Sequence, residues 1–351
     1  MKRPTITDIA RIAGVTKAAV SFALNGQPGV SVATRERILA IAEEIGFEPN
    51  SAARALSDGR AGAFGLVIDR PARLLGMEPF FMQLISGIQA ELSGRHAALL
   101  FTTAEDQAAE IAMYRSWWAQ RRVDGVFIVD LQIGDKRVAV LEKLRMPAVV
   151  IGTPAGAGSL SAVWQDDAAA TRAVAEYLTG LGHTRLARVT GIPRFWHTKI
   201  RTDAFMAAAR SAGAEAVCVE ADYTGEHGAA ATRRLLRARR PPTAILYDND
   251  IMAVSGLSAV QQMGIDVPAD LSIVAWDDSP LCELVHPPLT ALTRDVPAYG
   301  AHAAQTLIQV AGGTAARHFE EPPPTKASTA ASASAAFWPW WGPCSGRKRS
   351  S

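Results

Sequence analysis

The chain has 351 residues, 48% of them apolar and 20% charged, with a formal net charge of +2. That length and apolar content suit two or three domains with buried cores; the overall charge decides nothing about partners, and the net +2 of residues 1–60 excludes nucleic-acid affinity through bulk charge alone. Cys218, Cys282 and Cys344 stand far apart with no paired spacing, which excludes a disulfide scaffold and suits a reducing cytosol. No apolar run approaches a membrane span and the charged N-terminus is no signal peptide, so a cytoplasmic protein without membrane partners is expected.

Thr5 to Asn25, TITDIARIAGVTKAAVSFALN, reads as two short helices around a tight turn. Ile6, Ile9, Ala10 and Ala13 recur at helical spacing and mark one buried face. Thr5 stands at the N-cap with Asp8 three residues on, a start resembling a capping box. Gly14 supplies the bend, because a residue without Cβ leaves the helix easily at φ > 0. Thr16 caps the second helix, whose inward positions are Ala19, Val20, Ala23 and Leu24. Its other face carries Lys17, Ala18, Ser21, Phe22 and Asn25, a short and weakly charged surface that suits a DNA major groove. Gly26, Pro28 and Gly29 form a loop leading to Ser31, the expected N-cap of a third helix with the stripe Ile38, Ile41, Ala42 and Ile45. Pro49-Asn50 then opens SAARALSDG, by propensity a linker with weak helical character.

From Ala63 the pattern changes to apolar strands alternating with amphipathic helices. Strands are expected at 63–69, 97–103, 125–130, 148–152, 185–191, 216–222, 244–250 and 271–278. With helical patterns between most of them, the sheets should be parallel and buried on both faces. In such sheets ligands bind beyond the carboxyl ends of the strands. No catalytic set is present: there is no glycine-rich phosphate loop, nucleophile elbow or HExxH run. Cys282 and His286 are four apart, but Pro287-Pro288 argues for a turn and no further ligand is in view. No metal, cofactor or catalytic residue is therefore expected.

The N-terminal stretch resembles the helix-turn-helix of the lactose-repressor (LacI/GalR) family of bacterial transcription regulators. The pattern T-x-x-D-I-A-x-x-A-G-V-[ST]-x-x-x-V-S-x-x-L-N is met at Thr5, Asp8, Ile9, Ala10, Ala13, Gly14, Val15, Thr16, Val20, Ser21, Leu24 and Asn25. The resemblance implies a fold of class α/β: an all-α helix-turn-helix domain over 1–48, a hinge helix over 49–61, and a periplasmic-binding-protein-like pair of doubly wound parallel-sheet subdomains. The first subdomain would comprise 62–161 and 292–325, the second 162–291. It further implies a homodimer on a pseudo-palindromic double-stranded DNA operator, hence nucleoid association. Thr5, Thr16, Lys17, Ala18, Ser21, Phe22, Asn25 and Ser31 would meet the major groove and phosphates, and Lys17, Ala18 and Phe22 would choose the bases. Asn50, Arg54 and Leu56 belong to the hinge, where Leu56 holds the position of a leucine that wedges into the minor groove; packing on the next domain is the alternative.

The same resemblance implies a small-molecule effector, expected to be a sugar, between the subdomains. Arg201 opens R-x-x-A-F and matches the family's ligand-clamping arginine. Asn249-Asp250 matches its N-D pair, and Asp277-Asp278 after Trp276 matches its Y-D-D or F-D-D motif. A guanidinium, an amide and a carboxylate facing one cleft can hold a polyol through paired donors and acceptors. Arg201, Asn249 and Asp277 are therefore the effector candidates, while Asp250 and Asp278 read as helix caps. Phe80, Trp164 and Trp196 either stack on a ring or serve as core or rim. Beyond Thr325 the resemblance implies a β-branched strand, but KASTAASASAAFWPWWGPCSGRKRSS lacks alternation. Residues 326–351 are expected to be a disordered tail, and the last strand of the first subdomain to be compromised. Two rival readings conflict with the sequence. A binding protein of this fold without DNA control conflicts with the intact motif, and an enzyme on a doubly wound sheet conflicts with the missing catalytic set.

Overall fold

The structure, a computed structural model, describes residues 4–47, 60–70, 75–315, 317–321 and 326–328. Asn50, Arg54 and Leu56 lie outside the described residues. The chain forms two compact units, Met1–Gly62 and Ala63–Ser351.

The first unit holds α1 (Ile6–Ala13), α2 (Lys17–Leu24) and α3 (Val32–Glu44). Each start is capped from the sequence. The Thr5 backbone N–H and hydroxyl donate to Asp8 Oδ2 at 3.0 and 2.7 Å. Thr16 Oγ1 accepts from the Ala19 N–H at 3.2 Å and Ser31 Oγ from the Thr34 N–H at 3.3 Å. Gly14, at φ 65°, ends α1 in the left-handed region. Ile9, Ala10, Ala13, Val20, Ala23, Ile38 and Ala42 close the core; Ala19 and Leu24, expected inward, are only half-buried at its edge.

The second unit contains β1 (Ala63–Ile68), α4 (Pro79–Ser93), β2 (Ala98–Thr103), α5 (Gln107–Ala119), β3 (Gly125–Ile128), α6 (Lys136–Leu144), β4 (Ala148–Ile151), β5 (Ser161–Gln165) and α7 (Asp167–Gly180). It continues through β6 (Arg185–Thr190), α8 (Trp196–Ser211), β7 (Glu215–Glu220), α9 (Gly225–Leu236), β8 (Ala244–Tyr247), α10 (Asp250–Gln262), β9 (Ser272–Ala275) and α11 (Pro280–Leu284). β10 (Thr290–Thr293), α12 (Val296–Ala311), β11 (His318–Glu321) and β12 (Lys326–Ser328) complete it. Two sheets result, ordered β11-β5-β4-β3-β1-β2 and β12-β10-β9-β8-β6-β7. All pairings are parallel except β10 with β12. The central strands GVFI, AVVI and AILY are buried throughout, as strands covered by helices on both faces must be. The edge strands β2 and β7 are partly exposed along their length.

Three expectations change. The division at 161/162 falls inside β5, which stays in the first sheet, so the chain crosses at Asp166. The return at 292 falls inside β10, which stays in the second sheet beside β9. Lys326–Ser328, placed in a disordered tail, pairs antiparallel with β10, Lys326 opposite Thr293; residues 329–351 lie outside the described residues. The last strand of the first sheet is β11, which precedes the unusual segment and is intact beside β5. Backbone pairing on an existing strand needs no side-chain alternation, so an edge strand of three residues forms without the usual sequence signal.

Returning to the first sheet, α12 packs closely on α4. A Cβ on Gly87 would lie 1.9 Å from the Pro297 carbonyl oxygen, and one on Gly300 would lie 2.3 Å from that of Leu84. The chain therefore crosses between the sheets after β5, β10 and β11, and the carboxyl ends of both sets of strands meet across one cleft.

Candidate ligand cleft and DNA-reading face

On α2, Lys17, Ala18 and Asn25 are exposed, Ser21 is half-buried and Phe22 keeps 40% of its surface in solvent. An aromatic ring left this open is not core; it stands beside Gly29, whose φ of 112° lets the loop pass close to it. Thr5, Thr16 and Ser31 are each exposed at a helix N-terminus, where backbone N–H groups and the helix dipole favour an anion such as a phosphate. The expected DNA-facing residues that are described thus share two kinds of position, the open face of α2 and three helix starts.

The cleft between the sheets encloses about 950 Å³ of empty space, its solvent mouth included. Arg201, on α8, is nearly buried, donates from Nε to Asp167 Oδ2 at 3.1 Å, and lies 3.8 Å above the ring of Trp276. Trp276 is wholly buried, so it fixes the plane of the guanidinium from below. Asp277, the residue after it, accepts from Arg294 Nε at 2.9 Å and Nη2 at 2.5 Å, and Arg294 in turn lies over the ring of Phe80 at 4.6 Å. Asn249 does two things. Its Oδ1 caps α10 by accepting from the Met252 N–H at 2.9 Å, and its Nδ2 donates to Glu78 Oε1 at 3.2 Å and to the Tyr223 carbonyl at 3.0 Å.

Arg201, Asn249, Asp277, Phe80 and Trp164 all line the cleft. Trp196 does not: it packs with the β3 and β4 core and beside Gly156, where a Cβ would meet its Nε1 at 2.6 Å. Its place at the start of α8 turns it to the far side of the helix from Arg201. Asp250 is a second correction. The capping assigned to it belongs to Asn249, while Asp250 lines the cleft, 2% exposed, with Oδ2 lacking any hydrogen-bond partner. The N-cap side chain must precede the first helical residue, so one residue of register decides which of the pair is the cap. Asp278 accepts from Thr293 Oγ1 at 2.7 Å, tying β9 to β10.

Further residues of the cleft were not legible from the motifs. Arg70, after β1, donates to Asp130 Oδ2, after β3, at 3.0 Å, contacts Glu78 Oε2 at 3.4 Å, and stacks on Tyr223 at 4.4 Å. Burial pushes the Glu78 carboxyl up to about 7 despite Arg70, and burial with the neighbouring Asp277 pushes Asp250 up to about 6. His197 Nε2 lies 2.6 Å from the Tyr223 hydroxyl; burial, then Arg201 and Arg70, hold its imidazole well below the usual value and therefore neutral. Beneath the floor, Arg188 forms a buried fork on Asp248 at 2.8 and 2.7 Å. Arg70 and Asp130 follow strands as the recognised residues do, and that position was the available signal. Glu78 had none, since it reaches the cleft only through the fold. Among the described residues no cluster of His, Cys, Asp or Glu could hold a metal ion, and no helix is long and apolar enough to cross a membrane. This set of donors and acceptors around an open cleft is suited to holding a polar molecule.

Residues 5–50 match the family of bacterial regulatory proteins, lacI family, and residues 175–332 match a periplasmic binding protein-like domain. The HTH-type transcriptional regulator MalR of Streptomyces coelicolor is 32% identical over 327 residues, 90% of this chain and 92% of that protein. A crystal structure of a LacI family transcriptional regulator from Bifidobacterium animalis subsp. lactis matches with a TM-score of 0.70 at 36% identity, covering 75% of this chain and 95% of that one. A complex of the transcriptional regulator CelR with cellobiose matches with a TM-score of 0.70 at 28% identity, covering 91% of this chain and 97% of that one. With the helix-turn-helix at one end and the paired parallel sheets filling the rest, the chain belongs to the LacI family of bacterial DNA-binding transcriptional regulators.

Proposed function

We propose that this regulator is a cytoplasmic repressor that binds a pseudo-palindromic operator as a homodimer and changes its operator affinity when a sugar enters the cleft. The observation that carries the sugar reading is the cleft itself: Arg201 and Arg294 are each fixed by a carboxylate and an aromatic plane, so their edges, Asp277 and Asn249 are positioned before a ligand arrives. Preset donors and acceptors hold a polyol without further ordering cost. The cellobiose complex of CelR supports the same ligand class. Lys17 donates to guanine O6 or N7, Ala18 and Phe22 make apolar contacts such as to a thymine methyl, and Thr5, Thr16 and Ser31 position phosphates. Asn50, Arg54 and Leu56 enter the minor groove in this reading. Two copies are required because one weakly charged helix-turn-helix makes few phosphate contacts.

A ligand alters DNA affinity only through its different affinity for two arrangements of the subdomains. Gel shifts on DNA flanking the protein's own gene, with and without neutral sugars, test the reading. Arg201→Ala and Asp277→Ala should lose the response while keeping sugar-free operator binding, with a melting curve of each variant separating loss of the site from loss of the fold. Variants that melt like the parent and respond fully would remove those residues from the site; operator binding indifferent to every sugar would refute sugar control.

A further inference from the structure

The charges of the cleft are unequally committed. Among the described residues that line it, the cations are Arg70, Arg201 and Arg294. Each already holds a carboxylate: Asp130 and Glu78 for Arg70, Asp167 for Arg201, Asp277 for Arg294. Each guanidinium also lies over an aromatic ring, that of Tyr223, Trp276 and Phe80 respectively. A phosphate or carboxylate entering here would have to take a guanidinium from an existing partner and leave that carboxylate unpaired at a buried site, which is strongly unfavourable.

The acceptors are in the opposite condition. Asp250 Oδ1 accepts from the Ile251 N–H at 2.8 Å and the Ser279 hydroxyl lies beside the carboxyl, but Oδ2 is buried with no donor in hydrogen-bond geometry. Gln165, at the end of β5 on the other subdomain, presents a buried Oε1 that is also without a partner. Both residues line the cleft. A buried acceptor left empty bears its full desolvation cost until a donor reaches it. Spare acceptors on two walls and no uncommitted cation call for a ligand that brings hydrogens and no negative charge.

Building on the sugar reading above, we propose that the effector is an uncharged sugar, carrying neither phosphate nor carboxylate, one of whose hydroxyls donates to Asp250 Oδ2 and another to Gln165 Oε1. Asp250 thereby determines specificity for charge as well as for position. Its neighbour Asp277 adds negative potential on the same wall, and burial first, then that charge, raises the protonation range of Asp250.

Isothermal titration of the full-length protein with maltose, cellobiose and trehalose, against glucose 6-phosphate, trehalose 6-phosphate and glucuronate, tests this. At least one neutral sugar should bind, and at least tenfold more tightly than every anionic one. Asp250→Asn keeps the shape and removes the charge; it should weaken the neutral sugar about tenfold and narrow its advantage over the anionic set. Gln165→Met should weaken the neutral sugar without changing that advantage. Melting curves confirm that both variants fold. Monodeoxy analogues of the bound sugar locate the contact, because the analogue lacking the relevant hydroxyl loses nothing further on Asp250→Asn. Preferred binding of an anionic sugar, silence from all neutral ones, or a folded Asp250→Asn protein with parental affinity would overturn the proposal. A neutral sugar that binds but leaves operator affinity unchanged would instead refute sugar control and leave this inference standing.

Discussion

Glu78 offers the clearest quantitative test of the cleft. It is 6% exposed at the N-cap of α4, touches Arg70 at 3.4 Å, and accepts from Asn249 Nδ2 at 3.2 Å across the gap between subdomains. Burial raises its carboxyl from 4.5 to about 7, with Arg70 opposing the rise. Because the folded value lies above the unfolded one, the protonated group's contribution to stability is complete below pH 4.5 and is lost as pH climbs through 7. That difference amounts to about 3 kcal/mol at about 1.4 kcal/mol per pH unit. Glu78→Gln keeps an acceptor for Asn249 and removes the titration. Urea unfolding of parent and variant at half-unit steps from pH 4.5 to 8 should give nearly equal stabilities at the acid end and a variant more stable by about 2–3 kcal/mol at the alkaline end. Asp250 titrates in the same window, from 3.8 to about 6, but is common to both proteins and cancels in the difference. Parallel curves, or a parent that gains on the variant as pH rises, would refute the burial argument for Glu78.

Three more expectations follow from local structure. Phe22→Arg exchanges an apolar base contact for a hydrogen-bonding one and should shift the preferred base at one position of each half-site by about 1–3 kcal/mol, read by binding-site selection; an identical motif from both proteins would show that Phe22 reads no base. Gly87→Ala places a methyl against the Pro297 carbonyl, 1.9 Å away before relaxation, and should cost at least about 2 kcal/mol in unfolding free energy; a neutral result would mean α4 and α12 move apart freely. Thr16→Ala removes the acceptor for the Ala19 N–H and should cost about 1 kcal/mol, restored by Thr16→Ser, with equal melting of all three excluding the cap.

What could be read without tertiary structure was whatever depends on neighbours in sequence. The caps at Thr5, Thr16 and Ser31, the left-handed Gly14 and the stripe from Ile9 to Ala42 all act within one helix or one turn, so residue type and spacing suffice to locate them. The doubly covered strands β3, β4 and β8 are equally plain, because burial on both faces demands an unbroken apolar run. β5, β10, β11 and β12 were missed. They lack an unbroken apolar run, and their strand state comes from backbone groups offered by a neighbouring strand.

The cleft divides in the same way. Arg201, Asn249 and Asp277 were legible as polar residues at strand ends or helix starts, and all three line it. Whether such a residue is spent or available is another matter. Asn249 caps its helix while Asp250 keeps a bare oxygen, Asp277 is engaged by Arg294, and Glu78 meets Asn249 across 171 positions of sequence. The sequence by itself determined the helix-turn-helix, the alternation that builds two parallel sheets, and the candidate polar residues, since each follows from short-range periodicity and chemistry. Only the tertiary structure decided which strands complete the sheets, where the chain crosses, and which carboxylates remain unpaired, because those depend on bringing the carboxyl ends of two sheets face to face and excluding water between them.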